Sequence, residues 1–257
     1  HHVLAKTYRD ICNKFPNAKL LGVTATPYRL NAEPFPPMFD TLVQSKSIYQ
    51  FIKNGYLCEY EYYSIKPQSS TQQMINSISV DFSGDYDELE MINLLDNKKV
   101  RANIIETYET YAKGKKGIVY TINKVHNMHV YEVFKDNGYT TALIDSDTPT
   151  EKRREIVQQF KAGSITILCN VNIFSEGFDC PDVQFIQLAR PTLSLAMYLQ
   201  QVGRGFRIHE EKEKIIFLDN VGLFNRFGLP SANRKWQYYF EGRHKGIEFN
   251  HSEEAPI

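Results

Sequence analysis

The sequence predicts an α/β protein built on a parallel sheet with helices on both faces. Short apolar runs alternate with helix-like segments from residue 117 to residue 218. The spacing of that alternation is that of strands joined by helical crossovers. A third observation is Thr148-Pro149-Thr150-Glu151, which sets a capping threonine, a first-turn proline and a glutamate ahead of a helical stretch.

Residues 3–15 carry apolar side chains at 4, 8, 11 and 15, one face of a helix. Residues 19–25 read as a short buried strand ending in Thr24-Ala25-Thr26-Pro27. Pro34, Pro36 and Pro37 make 31–40 a loop. Residues 47–53 look helical and stop at Gly55, and 56–65 alternate aromatic and polar residues as a strand does. The polar stretch 66–80 reads as a connector, with a hairpin as the alternative. Asp85 and Glu88 resemble a capping box that opens two helices over 85–112. The alternation follows, with strands at 117–121, 140–144, 164–170, 183–188 and 214–218. Its helices are 123–136, the one that ends near Gly163, and one starting at Ser194. Beyond Ser231 the rhythm is lost, and the only tryptophan, Trp236, lies there.

A chain of 257 residues is long enough for one large domain, or for one domain with part of another. Its 30 basic and 30 acidic residues cancel, so any polyanion site must be a local patch. The four cysteines form no CxxC pair, which argues against a zinc site or a disulfide framework. No apolar run approaches the roughly 18 residues of a membrane span, and no signal peptide is legible. A cytoplasmic protein with reduced thiols is the expectation.

Three segments carry chemistry. In Gln200-Gln201-Val202-Gly203-Arg204-Gly205-Phe206-Arg207, a continuing helix would place Gln200, Gly203, Arg204 and Arg207 on one face. Leu195, Leu199, Val202 and Phe206 form a separate apolar stripe that can anchor it. Guanidinium groups suit phosphate oxygens because the planar fork stays charged and bonds bidentately. Two arginines alone would read as a solvated helix end; the glycines and glutamine in register with them favour a cleft. The second segment, Ser175-Glu176-Gly177-Phe178-Asp179-Cys180-Pro181, follows a strand at the carboxyl edge expected to bind ligands. Gly177 lets backbone amides approach a phosphate, and Asp179 can accept from ribose hydroxyls; a structural turn is the alternative. The third is Thr24-Ala25-Thr26-Pro27, whose paired hydroxyls end a strand.

In chain order the three segments resemble motifs of the superfamily 2 helicases: Thr24–Pro27 motif III, Ser175–Asp179 motif V and Gln200–Arg207 motif VI. Residues 117–120 are similar to the strand opening motif IV, and His1-His2 to the end of a DEAHH-type motif II, with an affinity-tag remnant as the alternative. The TATP-Tyr28-Arg29 junction, EGFD-Cys180-Pro181, Arg190-Pro191-Thr192 and Gly228…Trp236 resemble most the RadD-type bacterial helicases.

The resemblance implies a P-loop NTPase fold: a RecA-like second helicase domain at 98–230 behind a truncated piece of the first at 1–55. A connector at 56–97 and an extension at 231–257 complete the division. It implies Arg204 and Arg207 on the γ-phosphate of ATP, positioned by Gln200, with Gly177, Asp179 and Gly203 around the nucleotide. Thr24 and Thr26 would couple nucleotide to nucleic acid. Backbone contacts to DNA would come from loops holding Thr121, Asn123, Asn170 and Asn172. ATP and Mg2+ would be held mainly by a missing N-terminal RecA-like domain, and this chain alone would be inactive. A restriction-enzyme motor, an RNA helicase and a non-catalytic nucleic-acid-binding module are the alternatives. One departure is Val171, where related RNA helicases often carry threonine.

Two lookalikes are refused. Lys113-Gly114-Lys115-Lys116-Gly117 precedes its strand and lacks the GxxxxGK[ST] pattern of a phosphate loop. His126 and His129 have no third metal ligand nearby, so core or surface roles are expected.

Overall fold

The computed structural model describes residues 6–171 and 179–243. Its centre is a six-stranded, wholly parallel sheet of β1 (Glu59–Ser64), β2 (Gly117–Tyr120), β3 (Thr141–Ile144), β4 (Ile167–Asn170), β5 (Phe185–Leu188) and β6 (Lys214–Asp219). The spatial order is β1-β6-β5-β2-β4-β3. Successive side chains of each strand point to opposite faces, and both faces are buried. Ile118 and Tyr120 of β2 pack with Leu195, Tyr198 and Val202 of α8 (Leu195–Gly203) and with Phe160 of α7 (Thr150–Lys161). Val119, between them, faces Ile104 and Tyr108 of α5 (Lys98–Tyr111) and Phe134 of α6 (Lys124–Asp136). The layered α/β architecture is therefore the one expected.

Several local expectations are corrected. Residues 19–25 are not a strand; they run as irregular chain with Leu21 and Val23 about nine-tenths exposed. A strand needs a neighbour to complete its ladder, and among the described residues none lies beside this segment. The two helices expected in the opening piece are present, as α1 (Lys6–Asn13) and α2 (Ile48–Lys53), the latter closed by a Ser47–Gln50 capping box. Within 56–97, assigned as a connector, the strand read at 56–65 is present as β1, and it forms the sheet's edge by pairing with β6 along its full length. The same stretch also forms α3 (Ser70–Asn76), which Ser69 caps by accepting from Gln72 N at 3.2 Å. Of the polar side chains that suggested a connector, Gln72 is buried: Asn225 Nδ2 donates to Gln72 Oε1 at 2.8 Å.

The cap of α4 (Glu88–Leu95) is Asp87, not Asp85. Asp85 is buried and accepts from Leu193 N at 2.7 Å and Thr192 Oγ1 at 2.9 Å, pinning this segment to the loop after β5. Thr148 does not cap α7. It closes a reciprocal turn with Asp145, accepting from Asp145 N at 3.0 Å and donating its own N–H to Asp145 Oδ1 at 3.1 Å.

The described part of the rhythmless tail, to residue 243, packs on the rest of the chain. Arg234 donates to the carbonyls of Phe227, Leu229, Pro230 and Ala232, holding the chain after α9 (Leu223–Phe227). In α10 (Trp236–Phe240), Tyr239 meets Tyr28 edge-on at 5.7 Å and Phe240 stacks on Phe35 at 5.7 Å. The tail thus fastens the opening piece to the sheet domain.

Candidate functional site

All strands run one way, so the sheet has an amino edge and a carboxyl edge. The sequence-predicted residues divide between them.

At the amino edge, α8 ends at Gly203 and Arg204 is its C-cap, so Arg207 lies beyond the helix and not on a shared helical face as expected. Helical periodicity cannot place a residue past the cap. Gln200 sits half-buried in the last turn, and Gly203 is exposed with open space at its Cα. The turn after it is held tightly. A Cβ on Gly205 would come within 2.6 Å of Ile215 and 3.2 Å of Ile186, and Cys58 N donates to Phe206 O at 3.0 Å. These contacts join the turn to the first residues of β5, β6 and β1.

Arg207 Nη1 meets Asp179 Oδ1 at 2.6 Å, with the side chains 38% and 70% exposed. So exposed a pair contributes only about 0–1 kcal/mol, and either partner can leave it for a phosphate or a ribose. Asp179 therefore lies at the amino edge, not at the carboxyl edge where its loop begins. Gly177 and Asn172, expected in that loop, lie outside the described residues.

Behind this pair is Lys212, 5% exposed, whose Nζ donates to Pro181 O at 2.8 Å and Gly205 O at 2.9 Å. Burial pulls its pKa below the usual lysine value. Beside it Lys116 Nζ reaches Asp182 Oδ2 at 2.5 Å. Burial pushes the Asp182 carboxyl up, but hydrogen bonds from Cys180 and Lys116 outweigh it and hold the pKa low. Sequence reasoning missed Lys212, because Glu210-Glu211-Lys212-Glu213-Lys214 reads as a solvated charge run.

At the carboxyl edge, Thr121 follows β2 and is buried. Its Oγ1 lies 3.0 Å from Asn127 Oδ1 and 3.2 Å from Asn170 O, and its N–H donates to Asn170 O at 3.0 Å. Asn170 is also buried. These two residues brace the edge from within; a strand lying across it would meet the loops they shape. Asn123 caps α6, accepting from His126 N at 3.1 Å and donating to Glu88 Oε1 at 3.2 Å. The β2–α6 junction, where a phosphate loop would sit in a P-loop domain, carries no glycine and already has its helix capped.

His126 is 1% exposed, and its Nδ1 accepts from Ile122 N at 3.2 Å, fixing this junction. His129 pairs instead with Asp96 at 2.7 Å, so the two imidazoles serve separate contacts. Burial lowers the His126 pKa from its ordinary 6.5 to about 4. The unfolded chain thus takes up a proton between those values that the folded chain does not. Stability is fully present above pH 6.5 and is lost as pH falls toward 4, at up to about 1.4 kcal/mol per pH unit. Urea melts at pH 7.5, 6 and 5 should show that decline, and His126→Asn, which still offers an acceptor to Ile122 N, should flatten it. An equal slope in both proteins would refute the assignment.

Of the coupling residues, Thr24 is exposed, and its Oγ1 accepts from Thr26 N at 3.1 Å. Thr26 is buried and leads into Tyr28, which enters the core. The structure therefore gathers Gln200, Gly203, Arg204, Arg207 and Asp179 at one edge and Thr121, Asn123 and Asn170 at the other.

A wholly parallel sheet covered on both faces, with arginines on a turn at its amino edge, is a RecA-like α/β domain. Residues 98–209 match the family model described as the helicase conserved C-terminal domain, and this part of the chain resembles that domain. A 51.5 kDa protein of a Lactococcus phage (isolate 7-9) is 33% identical over 242 residues, covering 94% of this chain and 52% of that protein. The Saccharomyces cerevisiae protein named "Putative ATP-dependent helicase IRC3" is 29% identical over 242 residues, covering 90% of this chain and 34% of its own. The chain thus spans about half, or less, of the length of these curated relatives. Among solved structures, a fragment of a "putative HsdR subunit of a type I restriction enzyme" from Vibrio vulnificus YJ016 superposes with a TM-score of 0.64 at 19% identity. That match covers 87% of this chain and 44% of the fragment, and it speaks for the fold.

Proposed function

We propose that this chain is the arginine-bearing half of an ATP-dependent DNA helicase or translocase. One observation carries the reading: Arg204, Arg207 and Asp179 share one exposed edge, while the β2–α6 junction has no phosphate loop. A domain so built can complete a nucleotide site but cannot cradle the phosphates itself. The arrangement suits a site closed against a preceding RecA-like domain, which would hold ATP and Mg2+.

In that site water attacks the γ-phosphate, and Arg204 and Arg207 stabilise the charge spread over its equatorial oxygens. Gln200, one helical turn before Arg204, positions them. Asp179, released from Arg207, accepts from the ribose. Thr24 and Thr26 link the opening piece to the sheet domain, and the carboxyl-edge loops around Thr121, Asn123 and Asn170 meet the DNA backbone. The division at 55, 97 and 230 belongs to this reading, with β1 as the element that the 56–97 stretch lends to the sheet domain. Val171 in place of a motif V threonine removes a hydroxyl that could meet a backbone phosphate, and the buried free thiols suit a cytoplasmic setting.

The test is a titration of a labelled single strand against this chain at several salt concentrations, with unrelated DNA sequences and matched RNA. Binding should be weak, indifferent to sequence and steeply weakened by salt, because a chain with no net charge holds phosphates through a few local groups. The chain alone should release no phosphate from ATP. Tight, salt-resistant, sequence-selective binding would replace the motor with a recognition module.

A further inference from the structure

We propose that Lys212 is a positioning residue for ATP turnover, clamping the Asp179–Pro181 segment to the turn that carries Arg204 and Arg207. The proposal rests on the reading of those arginines as nucleotide-facing groups.

Lys212 Nζ bonds two carbonyls from separate parts of the chain, Pro181 O at 2.8 Å and Gly205 O at 2.9 Å. Pro181 is two residues from Asp179; Gly205 lies between the two arginines. One ammonium thus ties together the two segments that the exposed Arg207–Asp179 pair joins only loosely.

Burying this cation costs free energy, which the fold must offset through the bonds it makes. The side chain is 5% exposed, and among the described residues its bonds go to carbonyls and not to a carboxylate. Its own backbone is fixed as well: Lys212 N donates to His209 O at 3.1 Å, closing the turn between Arg207 and β6. Gly205 O accepts a second contact, from Cys58 Sγ at 3.4 Å, and Gly205 has no room for a side chain against Ile215. The turn is therefore seated from below by packing and held laterally by Lys212. An arginine that must meet a transferring phosphoryl group gains rate from such fixing, since a displacement near 1 Å can cost on the order of a hundredfold.

The experiment compares four versions of the protein carrying both helicase halves: unsubstituted, Lys212→Met, Lys212→Arg and Arg207→Ala. Steady-state ATPase gives kcat and KM, and urea melts give the folded fraction. Expected for Lys212→Met is a fall in kcat of about tenfold to a hundredfold with KM for ATP within about threefold. Lys212→Arg, which keeps the charge and two N–H donors, should recover most of the loss. Should Lys212→Met not fold, Lys212→Gln, which leaves the pocket polar, is judged by the same kcat and KM criteria. A kcat per folded molecule equal to the unsubstituted protein's would overturn the proposal, as would a loss in KM alone. Near-normal turnover by Arg207→Ala would instead sink the arginine reading on which it rests, so the two failures are told apart.

Discussion

Arg207→Ala, made in the protein that carries both helicase halves, is expected to lower ATP turnover by roughly a thousandfold or more while nucleotide affinity stays within a few fold. The reason is where the guanidinium sits. It is part-exposed at the amino edge, and it is bonded to an exposed carboxylate. Removing it costs about 0–1 kcal/mol of stability, and the loss falls on transition-state charge. Arg204→Ala should behave similarly in turnover, since it caps α8 on the same turn. Equilibrium binding of a fluorescent ATP analogue, measured beside single-turnover hydrolysis, separates the two effects. If both substituted proteins kept near-normal turnover, the arginines would have no part in the chemistry. A parallel loss of affinity and rate would mean that they hold the ground state instead.

Asp219→Ala is expected to cost on the order of 4–5 kcal/mol of folding stability. Asp219 ends β6, is 1% exposed, and receives five donors. Oδ1 accepts from Val221 N at 3.2 Å and Leu223 N at 3.0 Å. Oδ2 accepts from Ser64 Oγ at 2.7 Å, Phe224 N at 2.9 Å and Tyr62 OH at 3.2 Å. One carboxylate thus starts α9 and ties β1 to β6, and its loss would leave the buried donors among these without a partner. Burial raises its pKa above the ordinary carboxylate value even against those hydrogen bonds. Asp219→Asn, uncharged but able to accept at one oxygen, should lose roughly 2 kcal/mol, because its amide would face Phe224 N. Urea denaturation with a fixed m-value decides between them. A loss below about 1 kcal/mol in the alanine variant would show that water takes over the carboxylate's bonds.

The effect reaches the arginine-bearing helix. Tyr198 OH in α8 lies 3.2 Å from Tyr62 OH and 3.1 Å from Gly228 O, and Tyr62 in turn reaches Asp219. Loss of Asp219 should therefore loosen α8 against the sheet, and in the two-half protein it should lower turnover well before the chain unfolds globally.

The sequence by itself determined the sheet domain. Apolar runs such as 117–120 and 185–188 must be buried on both faces, and the stripe of Leu195, Leu199 and Val202 must face them, so β2, β5 and α8 were legible from local pattern alone, while Phe206 of the same stripe lies past the cap. The order of three short motifs was equally local, and it was enough to point to the helicase family. Only the tertiary structure decided where those motifs meet. Asp179 and Arg207 are 28 residues apart, and the loop holding Asp179 leaves the carboxyl edge to finish at the amino edge. Periodicity carries no information past the end of a helix, so it set Arg207 on α8, whereas the chain turns at Gly203. Charge patterns mislead for the same reason. Lys212, Asp85 and Gln72 of α3 read as solvated or as caps, because burial of a polar group depends on partners far away in sequence. For Asp85 that partner lies 107 residues on, at Thr192, and nothing near Asp85 in the chain announces it.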